Sequence, residues 1–308
     1  MRLFSEPLWM LWRTNVCVML GRNQAAQTEI NLTAANRLGV EITRRSSGGG
    51  AIFTDPGTLL YTYICPYDGA SDVKERESVS VVQPIIRALK KLGASAVAQG
   101  RNDLVADSGK VSGLAQYVQK DRLCTHGSLL YDADLDLMET VLCPGEAKLA
   151  TKALPSVRAR VTNLRPLLPE LGGADAFQSA LCGALNCEMD FRSYAFSASD
   201  LHEIYAIQQE KYANGNWVFG QSPPHTLHGK KRFAGGQVEV FLDVRYGIVS
   251  SCAIQGDFLG VLPVDAVELA LTGNTCLPDK LAFVLDGMDL RPYLGGVTSA
   301  ELLNCIFE

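Results

Sequence analysis

Positive charge is scarce in this sequence of 308 residues. Its 28 Lys and Arg are outnumbered by 33 Asp and Glu, and the net charge is -5 at pH 7. This balance disfavours a broadly basic nucleic-acid binder, although it is compatible with a local basic site for a phosphate. The sequence also lacks an apolar run long enough to span a membrane, and its start, Met1–Glu6, lacks the apolar core of a signal peptide. We therefore expect neither nucleic acid nor a membrane among its partners.

Paired cysteines are also missing. The cysteines are odd in number, and none has the C-x-x-C spacing that is typical of structural zinc sites. A disulfide framework is disfavoured for the same reason, and most of the cysteines stand in apolar contexts. We therefore expect mainly buried, reduced thiols and a cytoplasmic location. The nine cysteines are Cys17, Cys65, Cys124, Cys143, Cys182, Cys187, Cys252, Cys276 and Cys305.

Length and residue patterning predict two domains. A chain of this length usually exceeds one compact core, and its 47% hydrophobic and 20% charged residues are ordinary for a globular protein. From about residue 232, apolar residues alternate with others, and Arg245-Tyr246-Gly247 can close a hairpin. Helical segments follow near 263–271, 277–286 and 298–307, which predicts a small α+β unit. The stretch 213–231 is rich in Gly, Asn, Pro and Lys and is the expected linker.

Two helices of the larger part can be placed from their spacing and capping residues. Residues 78–92 have helical spacing, and Pro84 is expected in a first turn or at a kink. A second helix is expected over 200–212, capped by Ser199 and Asp200. Strand-like runs precede the first of these helices, so this part of the chain should combine a sheet with helices.

A glycine-rich segment with two arginines carries the strongest functional signal. It runs from Arg44 to Phe53, with the sequence RRSSGGGAIF, and is neither a Walker motif nor a dinucleotide fingerprint. Three successive glycines let the backbone take positive φ and approach a ligand, and exposed N–H groups in such a loop bind anions. Arg44 and Arg45 add donors for a phosphate or carboxylate. The alternative is a tight turn between strands with solvated arginines.

A lysine downstream is the second candidate. Asn102-Asp103 is a turn pair, and Lys110 follows a glycine and enters a short predicted strand within Gly109–Ala115. A lysine at the edge of a buried strand can place a compact cation against an acyl carboxylate and a phosphate together. From the residues alone, a surface lysine in a hairpin explains the same pattern.

Two further segments are weaker signals. His126, at the start of HGSLLY, is as compatible with a hydrogen-bonded structural histidine as with a functional one. The segment Lys148–Leu164 is rich in basic residues. This composition fits a solvated loop, and it equally fits a mobile loop that meets a nucleotide or an acceptor.

In this order, the segments resemble the lipoate–protein ligase A family. The resemblance runs from about residue 8 to about residue 260, and more loosely to the end of the chain. Several motifs occur in the family's order, which makes the resemblance specific. The motifs are Arg44–Phe53, Arg101–Leu104 with Gly109–Ala115, His126–Leu130, Lys148–Leu164, Trp217–Pro223 and Arg232–Val240.

The resemblance implies an α+β fold: a biotin-ligase-like, mixed-sheet catalytic domain over residues 1–222 and a small α+β accessory domain over residues 223–308. It also implies an enzyme that activates lipoic acid with ATP as lipoyl-adenylate and transfers it to a lysine of a carrier domain. ATP and Mg²⁺ would serve as substrate and ion, without a permanently bound cofactor. The expected acceptors are lipoyl domains of 2-oxoacid dehydrogenase acyltransferase subunits or the glycine cleavage H protein.

The resemblance further implies roles for matching residues. Lys110 would be the catalytic residue and would bridge the lipoate carboxylate and the phosphate. The segment Val16–Gly21 is a candidate wall for the acyl chain. The residues expected to hold ATP or the adenylate are Arg45, Gly50, Ala51, Ile52, Phe53 and Lys110. Those expected to bind lipoate are Lys110, Gly21, Gly48, Gly49 and His126.

Two features depart from the family pattern. The family usually begins with a strand and a helix that carry an Asn-Ala-x-Glu-Glu-like stretch, and this chain starts after it. We therefore expect an early element of the domain to be missing. The family commonly has histidine and aspartate after the aromatic residue of the glycine-rich segment. Here the pair is Thr54-Asp55, which excludes histidine chemistry at that position.

Three other functions compete with this one. An octanoyl or lipoyl transferase of the same superfamily needs a reactive thiol and no ATP, and Cys143 before Pro144-Gly145 is its best candidate. The ligase-like C-terminal part argues against it. A protein that binds lipoyl-adenylate without turnover is the second, kept open by the expected loss of an early element. A biotin ligase is disfavoured, since the Gly-Arg-Gly-rich signature of that family is missing.

Overall fold

A computed structural model of the protein describes residues 6–69, 73–100, 102–107, 109–142, 160–189, 191–219 and 225–307. Several residues singled out in the sequence lie outside these ranges: Arg101, Cys143, the greater part of Lys148–Leu164, and the end of Trp217–Pro223. Among the helices of the described ranges, none combines the length and apolar character that crossing a membrane requires.

Strands and helices occur throughout the described chain. The strands are β1 (Leu8–Trp12), β2 (Cys17–Leu20), β3 (Glu41–Arg44), β4 (Ile52–Thr54), β5 (Thr58–Pro66), β6 (Val97–Gln99), β7 (Asp103–Ala106), β8 (Gly109–Gln119), β9 (Arg122–Leu130), β10 (Leu227–Phe233), β11 (Gly236–Arg245) and β12 (Ile248–Gly256). The helices are α1 (Ala26–Glu29), α2 (Leu32–Arg37), α3 (Val73–Leu92), α4 (Leu135–Val141), α5 (Ala174–Asn186), α6 (Ala198–Ile207), α7 (Gly215–Phe219), α8 (Asp265–Leu271), α9 (Pro278–Asp286), α10 (Arg291–Leu294) and α11 (Ser299–Phe307).

A six-stranded sheet forms the centre of the larger part. Its strand order is β1-β5-β9-β8-β7-β6, and neighbouring strands are antiparallel. Helices α3 and α5 pack together, and their apolar faces share a core with the sheet. Tyr131 and Phe177 stack in this core with ring centroids 4.3 Å apart. Since stacked aromatic rings add to the stabilisation from burial, this pair fixes α5 against the end of β9.

A small mixed sheet carries the glycine-rich segment. Its order is β3-β2-β4, with β2 parallel to β3 and antiparallel to β4. The segment Arg45–Ala51 therefore connects two strands that lie on opposite sides of β2. Buried Val18 and Leu20 of β2 pack in a core with α4. Because β2 pairs with both β3 and β4, this packing fixes the two strands between which the segment runs.

Two helix predictions differ from the structure in detail. Helix α3 begins at Val73, so Pro84 lies inside it rather than in its first turn. Ser197, not Ser199, caps α6: its hydroxyl accepts from the backbone N–H of Asp200, and the Asp200 carboxylate accepts from that of Ser197. The capping box outcompetes the site two residues later because it satisfies two free backbone donors at once.

The C-terminal part has its own sheet and its own core. Strands β10, β11 and β12 form an antiparallel sheet in that order, and Tyr246 and Gly247 turn the hairpin between β11 and β12, as the sequence predicts. The helices from α8 to α11 cover this sheet and bury an apolar cluster around Val238 and Leu302. We call residues 225–307 the small domain and the preceding described residues the large domain. The expected α+β fold is confirmed.

The cysteines only partly follow the expectation. None of the eight cysteines in the described ranges takes part in a disulfide. Cys17, Cys65, Cys124 and Cys305 are buried, whereas Cys182 and Cys187 on and after α5 are exposed. The expected mainly buried distribution was therefore wrong for α5, where an amphipathic helix turns its outer face to solvent.

Candidate active site

A cavity of about 620 Å³ lies where the glycine-rich segment, the start of β8 and the small domain meet. Its polar lining includes Lys110 and Asp103, together with Arg160 and Arg232. Its volume is in the range of small-molecule binding sites. The apolar lining consists of Ala51, Ile52, Phe53, Val105, Leu130, Met138, Leu142, Val161 and Leu259.

Lys110 reaches this cavity from the beginning of a long strand. It is the second residue of β8, and its carbonyl oxygen accepts from the backbone N–H of Thr162 at 2.9 Å. Its ammonium forms an ion pair of 2.7 Å with Asp103, and both side chains are about one-third exposed. The ladder between β7 and β8 shifts register next to Lys110. The backbone of Lys110 is therefore fixed on both sides, while its side chain remains accessible from the cavity.

The three glycines of the segment do not share one conformation. Gly49 has φ of +89°, whereas Gly48 and Gly50 do not adopt a left-handed φ. A Cβ atom on Gly50 would meet no described atom within 4 Å. The expectation of positive φ therefore applies to Gly49 alone, and Gly50 leaves open space beside the cavity, which admits a ligand close to the backbone.

Gly21 holds the segment in place by close packing. A Cβ atom on Gly21 would overlap the carbonyl oxygen of Gly49. The backbone N–H of Gly21 donates to Oε1 of Gln24 at 2.9 Å, and its carbonyl accepts from the Arg44 guanidinium at 2.8 Å. The end of β2 and the glycine-rich segment are thus in direct backbone contact.

The guanidinium groups of both arginines donate mainly to backbone carbonyls. Each of the three guanidinium nitrogens of Arg45 donates a hydrogen bond: Nε to Ser47, one terminal nitrogen to Met19 O, and the other to the carbonyls of Gly48 and Gly50. Burial and the charge of Arg44 lower the pKa of Arg45 to about 10. The alternative of a turn with solvated arginines does not describe Arg45, whose guanidinium braces the segment from within. Its contact with a nucleotide stays a prediction.

Arg44 acts at the other end of the segment. Its side chain is buried, and it donates to the carbonyls of Gly21, Arg22 and Gln24 as well as to Trp217 and Val218 of α7. A buried guanidinium satisfied by carbonyl dipoles stabilises a fold rather than a ligand.

His126 supports the segment from β9. Its Nε2 lies 2.7 Å from Oγ of Ser47, and its ring and that of Tyr117 form a T-shaped pair with centroids 6.3 Å apart. Burial, with a smaller contribution from the charge of Arg45, lowers the pKa of His126 to about 3. A neutral His126 can therefore accept from the Ser47 hydroxyl, which itself accepts from Nε of Arg45.

The lowered pKa of His126 predicts acid sensitivity. As the pH falls below about 6.5, the unfolded chain binds a proton at this residue and the folded protein does not, so stability is lost. Between pH 7 and pH 5 the free energy of unfolding should fall by about 2 kcal/mol more in the wild type than in His126→Gln. Urea unfolding at both pH values measures this, with His202→Gln on the exposed α6 as the control. Equal losses in wild type and His126→Gln would contradict the prediction.

Thr54 and Asp55, where Thr54 stands in place of the histidine of the expected histidine–aspartate pair, both make contacts within the protein. The Thr54 hydroxyl lies 2.8 Å from that of Thr14 and 3.1 Å from the Cys17 thiol. The Asp55 carboxylate accepts from the hydroxyl of Thr58 at 2.9 Å and from the backbone N–H of Asp134 at 2.8 Å, next to α4. This pair therefore orders the turn after β4.

The structure brings together some of the residues expected from the sequence and separates others. Among the described residues, those that line the cavity are Gly49, Gly50, Ala51, Ile52, Phe53 and Lys110. Those set back behind the lining are Gly21, Arg45, Gly48 and His126, which brace or pack against the segment. The expected acyl wall Val16–Gly21 is set back as well, with Val18 and Leu20 in the core.

Besides Lys110, the lining holds five charged residues to which the sequence assigns no individual role: Glu29, Asp103, Arg160, Arg232 and Asp257. Asp103 was noted only as a turn residue, and its spacing from Lys110 could have suggested a pair across the hairpin. No local pattern in the sequence indicates that residues of the small domain line the cavity. Within the described ranges, no group of three or more His, Cys, Asp or Glu side chains could hold a metal ion by itself.

Family profiles match nearly the whole chain. Residues 2–213 match the lipoyl protein ligase A/B catalytic domain, and residues 222–306 match the bacterial lipoate protein ligase C-terminus. The lipoate-protein ligase LplJ of Bacillus subtilis is 33% identical over 306 residues, which cover 98% of this chain and 92% of the relative. A lipoate–protein ligase of Streptococcus pyogenes is 35% identical over 298 residues, covering 94% of this chain and 87% of the relative.

Solved structures show the same fold. P. falciparum LipL1 in complex with lipoate superimposes with a TM-score of 0.77 at 23% identity, covering 98% of this chain and 88% of the other. A bipartite lipoate protein ligase of Thermoplasma acidophilum, described with its E2 lipoyl domain, gives 0.62 at 24% identity over 73% of this chain and 90% of its own. A lipoate-protein ligase A bound with ATP gives 0.59 at 23% identity over 70% and 86%.

Proposed function

Because this chain belongs to the lipoate–protein ligase family, with profile matches to both the catalytic domain and the C-terminus, we propose that it activates lipoate with ATP and transfers it to a lysine of a carrier domain. The observation that supports this best is the cavity lined by Lys110 and by the backbone of Gly50, where a Cβ atom would meet nothing described within 4 Å. A cation beside a backbone that a ligand can approach closely suits a carboxylate and a phosphate that react with each other.

The first half-reaction forms a mixed anhydride. A carboxylate oxygen of lipoate attacks the α-phosphorus of ATP, the new C(=O)–O–P bond forms, and the bond to the β-phosphate breaks with its electrons leaving on pyrophosphate. Lys110 lies between the two reactants and offsets the negative charge that both bring to the reaction centre. The protein performs no covalent step, so positioning and charge stabilisation account for its contribution.

The apolar part of the cavity fits the rest of the two substrates. Ile52 and Phe53 of β4 and Met138 of α4 form one wall, and Leu130 and Val161 add to it. We assign this surface to the adenine ring and the acyl chain, which both gain from burial in an apolar environment.

Magnesium is the expected ion. The cavity lining includes the carboxylates of Glu29, Asp103 and Asp257, and the last two already pair with Lys110 and Arg232, so the shell of the ion would come mostly from phosphate oxygens and water. These residues fit Mg²⁺, which when bound neutralises charge on the leaving phosphates.

The acceptor in the second half-reaction is a protein. We propose that its lysine amine attacks the carbonyl carbon of the anhydride and releases AMP, and that the carrier is a lipoyl domain of a 2-oxoacid dehydrogenase acyltransferase subunit or the glycine cleavage H protein. We place the reaction in the cytoplasm, because the described cysteines are free thiols of the kind that a reducing compartment preserves.

The proposed function predicts that pyrophosphate release depends on both lipoate and ATP. ATP–pyrophosphate exchange should appear with lipoate, and running the assay with octanoate in parallel measures the preference between the two acids. The variant Cys143→Ser should retain exchange, because no thiol intermediate takes part. Acyl transfer that proceeds without ATP and is lost in Cys143→Ser would favour the cysteine-dependent transferase.

A further inference from the structure

The small domain supplies one wall of the cavity. Arg232 of β10 and Asp257, directly after β12, line it together with Lys110 and Gly50. Arg232 is far from Lys110 in sequence and belongs to a different sheet. Arg232 therefore adds to Lys110 and Arg160 a further positive charge, supplied by the small domain.

Direct backbone contacts fix this wall against the large domain. The N–H of Gly49 donates to Phe258 O at 3.1 Å, and a Cβ atom on Gly48 would approach the same oxygen to 2.5 Å. A third contact joins the N–H of Gly256 to Asn23 O at 2.7 Å. These contacts flank Asp257 on both sides in sequence, so the glycine-rich segment and Asn23 together fix the position of the wall.

Asp257 is held more firmly than its partner Arg232. One oxygen of Asp257 accepts from the backbone N–H of Gln237 at 2.5 Å, and its side chain is 10% exposed. Both terminal nitrogens of Arg232 lie 3.3 Å from the other oxygen, and the Arg232 side chain is 39% exposed. This geometry occupies a single carboxylate oxygen, whereas a guanidinium has five N–H donors in a planar fork that matches phosphate.

We propose that Arg232 binds the β- and γ-phosphates of ATP and stabilises pyrophosphate as it leaves, and that Asp257 positions the guanidinium for this contact. The proposal rests on the proposed function. No bond is made to Arg232; its charge opposes the negative charge that develops on the oxygen between the α- and β-phosphates as that bond breaks. The small domain would thus contribute directly to the first half-reaction.

The role is confined to one of the two half-reactions. Lipoyl-adenylate carries only the α-phosphate, so the transfer of lipoate to a carrier lysine offers no β- or γ-phosphate for Arg232 to bind. A purely structural role of Arg232 would affect both half-reactions alike, because both use the same cavity. The difference between them is therefore the quantity to measure.

The test compares Arg232→Gln with Arg245→Gln in the full-length protein. Arg245 is an exposed arginine of β11, paired with Asp243, and stands outside the lining of the cavity among the described residues. We expect Arg232→Gln to lower ATP–pyrophosphate exchange at least about tenfold, with a raised KM for ATP. Transfer from supplied lipoyl-adenylate should stay near the wild-type rate, and Arg232→Lys should recover part of the exchange. Arg245→Gln should leave both half-reactions unchanged.

Binding measurements separate this proposal from the proposed function. By calorimetry, Arg232→Gln should weaken ATP about tenfold and leave AMP nearly unaffected. Equal losses for ATP and AMP, equal losses in both half-reactions, or wild-type exchange would each overturn the role of Arg232. If the wild type showed no exchange with lipoate, the proposed function would fail, and the comparison of ATP with AMP would still decide whether Arg232 binds the outer phosphates.

Discussion

Replacing Lys110 by alanine should abolish the formation of lipoyl-adenylate while leaving the protein folded. The side chain of Lys110 is one-third exposed and contacts Asp103, so its removal leaves no cavity in the core. Removing a charge-stabilising donor from a reaction centre typically costs about 3 kcal/mol or more in the barrier. We therefore expect ATP–pyrophosphate exchange to fall by at least about a hundredfold.

The control for this variant is Lys90→Ala, which removes an exposed lysine from α3 without approaching the cavity. Circular dichroism and urea unfolding should show that Lys110→Ala is as well folded as the wild type. Near-normal exchange in Lys110→Ala would remove Lys110 from the reaction. A loss confined to transfer from supplied lipoyl-adenylate would instead place it in the second half-reaction.

The second large effect is expected at Gly21. A methyl group there would overlap the carbonyl of Gly49, so either the end of β2 or the glycine-rich segment must move. Overpacking of this kind costs about 1–3 kcal/mol of stability. Since a displacement of about 1 Å can lower a rate about a hundredfold, Gly21→Ala should lose far more exchange than stability.

Gly183→Ala is the matched substitution. Gly183 lies in α5, and a Cβ atom there would meet no described atom within 4 Å. Relative to glycine, alanine favours a helix by about 0.5–1 kcal/mol, so this variant should gain stability and keep full exchange. Thermal unfolding and exchange are measured on both variants. If Gly21→Ala retained exchange, the contact between β2 and the segment would have no part in shaping the site.

The elements of the fold could be predicted largely from local signals. Alternating apolar residues predict β11, and the turn residues Arg245–Gly247 predict the hairpin that follows it. The start of a strand at Gly109-Lys110 was also predictable, because a glycine and a turn pair precede it. Such features depend on a few neighbouring residues, whose conformational preferences act within one element.

The orientation of the arginines was not predictable in the same way. Arg44 and Arg45 have the composition of an anion site, and only tertiary contacts show that their donors end on carbonyls of Met19, Gly21 and α7. The place of Arg232 in the cavity has the same origin, since it depends on how two separate sheets meet. Residue type indicates which chemistry a side chain can perform, and long-range packing decides whether it performs it on a ligand.

The hydrogen bonds of Arg45 determine at which stage the glycine-rich segment loses its conformational freedom. Glycine-rich loops are flexible in the unfolded chain, and ordering one around a ligand weakens binding. Here the carbonyls of Gly48 and Gly50 are tied to one guanidinium, which is tied in turn to Met19 O and Ser47. The conformational entropy of the segment is thus lost when the protein folds, so a ligand that binds beside the segment need not order it. Lysine could not replace Arg45 in this respect, because a single ammonium cannot span four acceptors arranged around a planar fork.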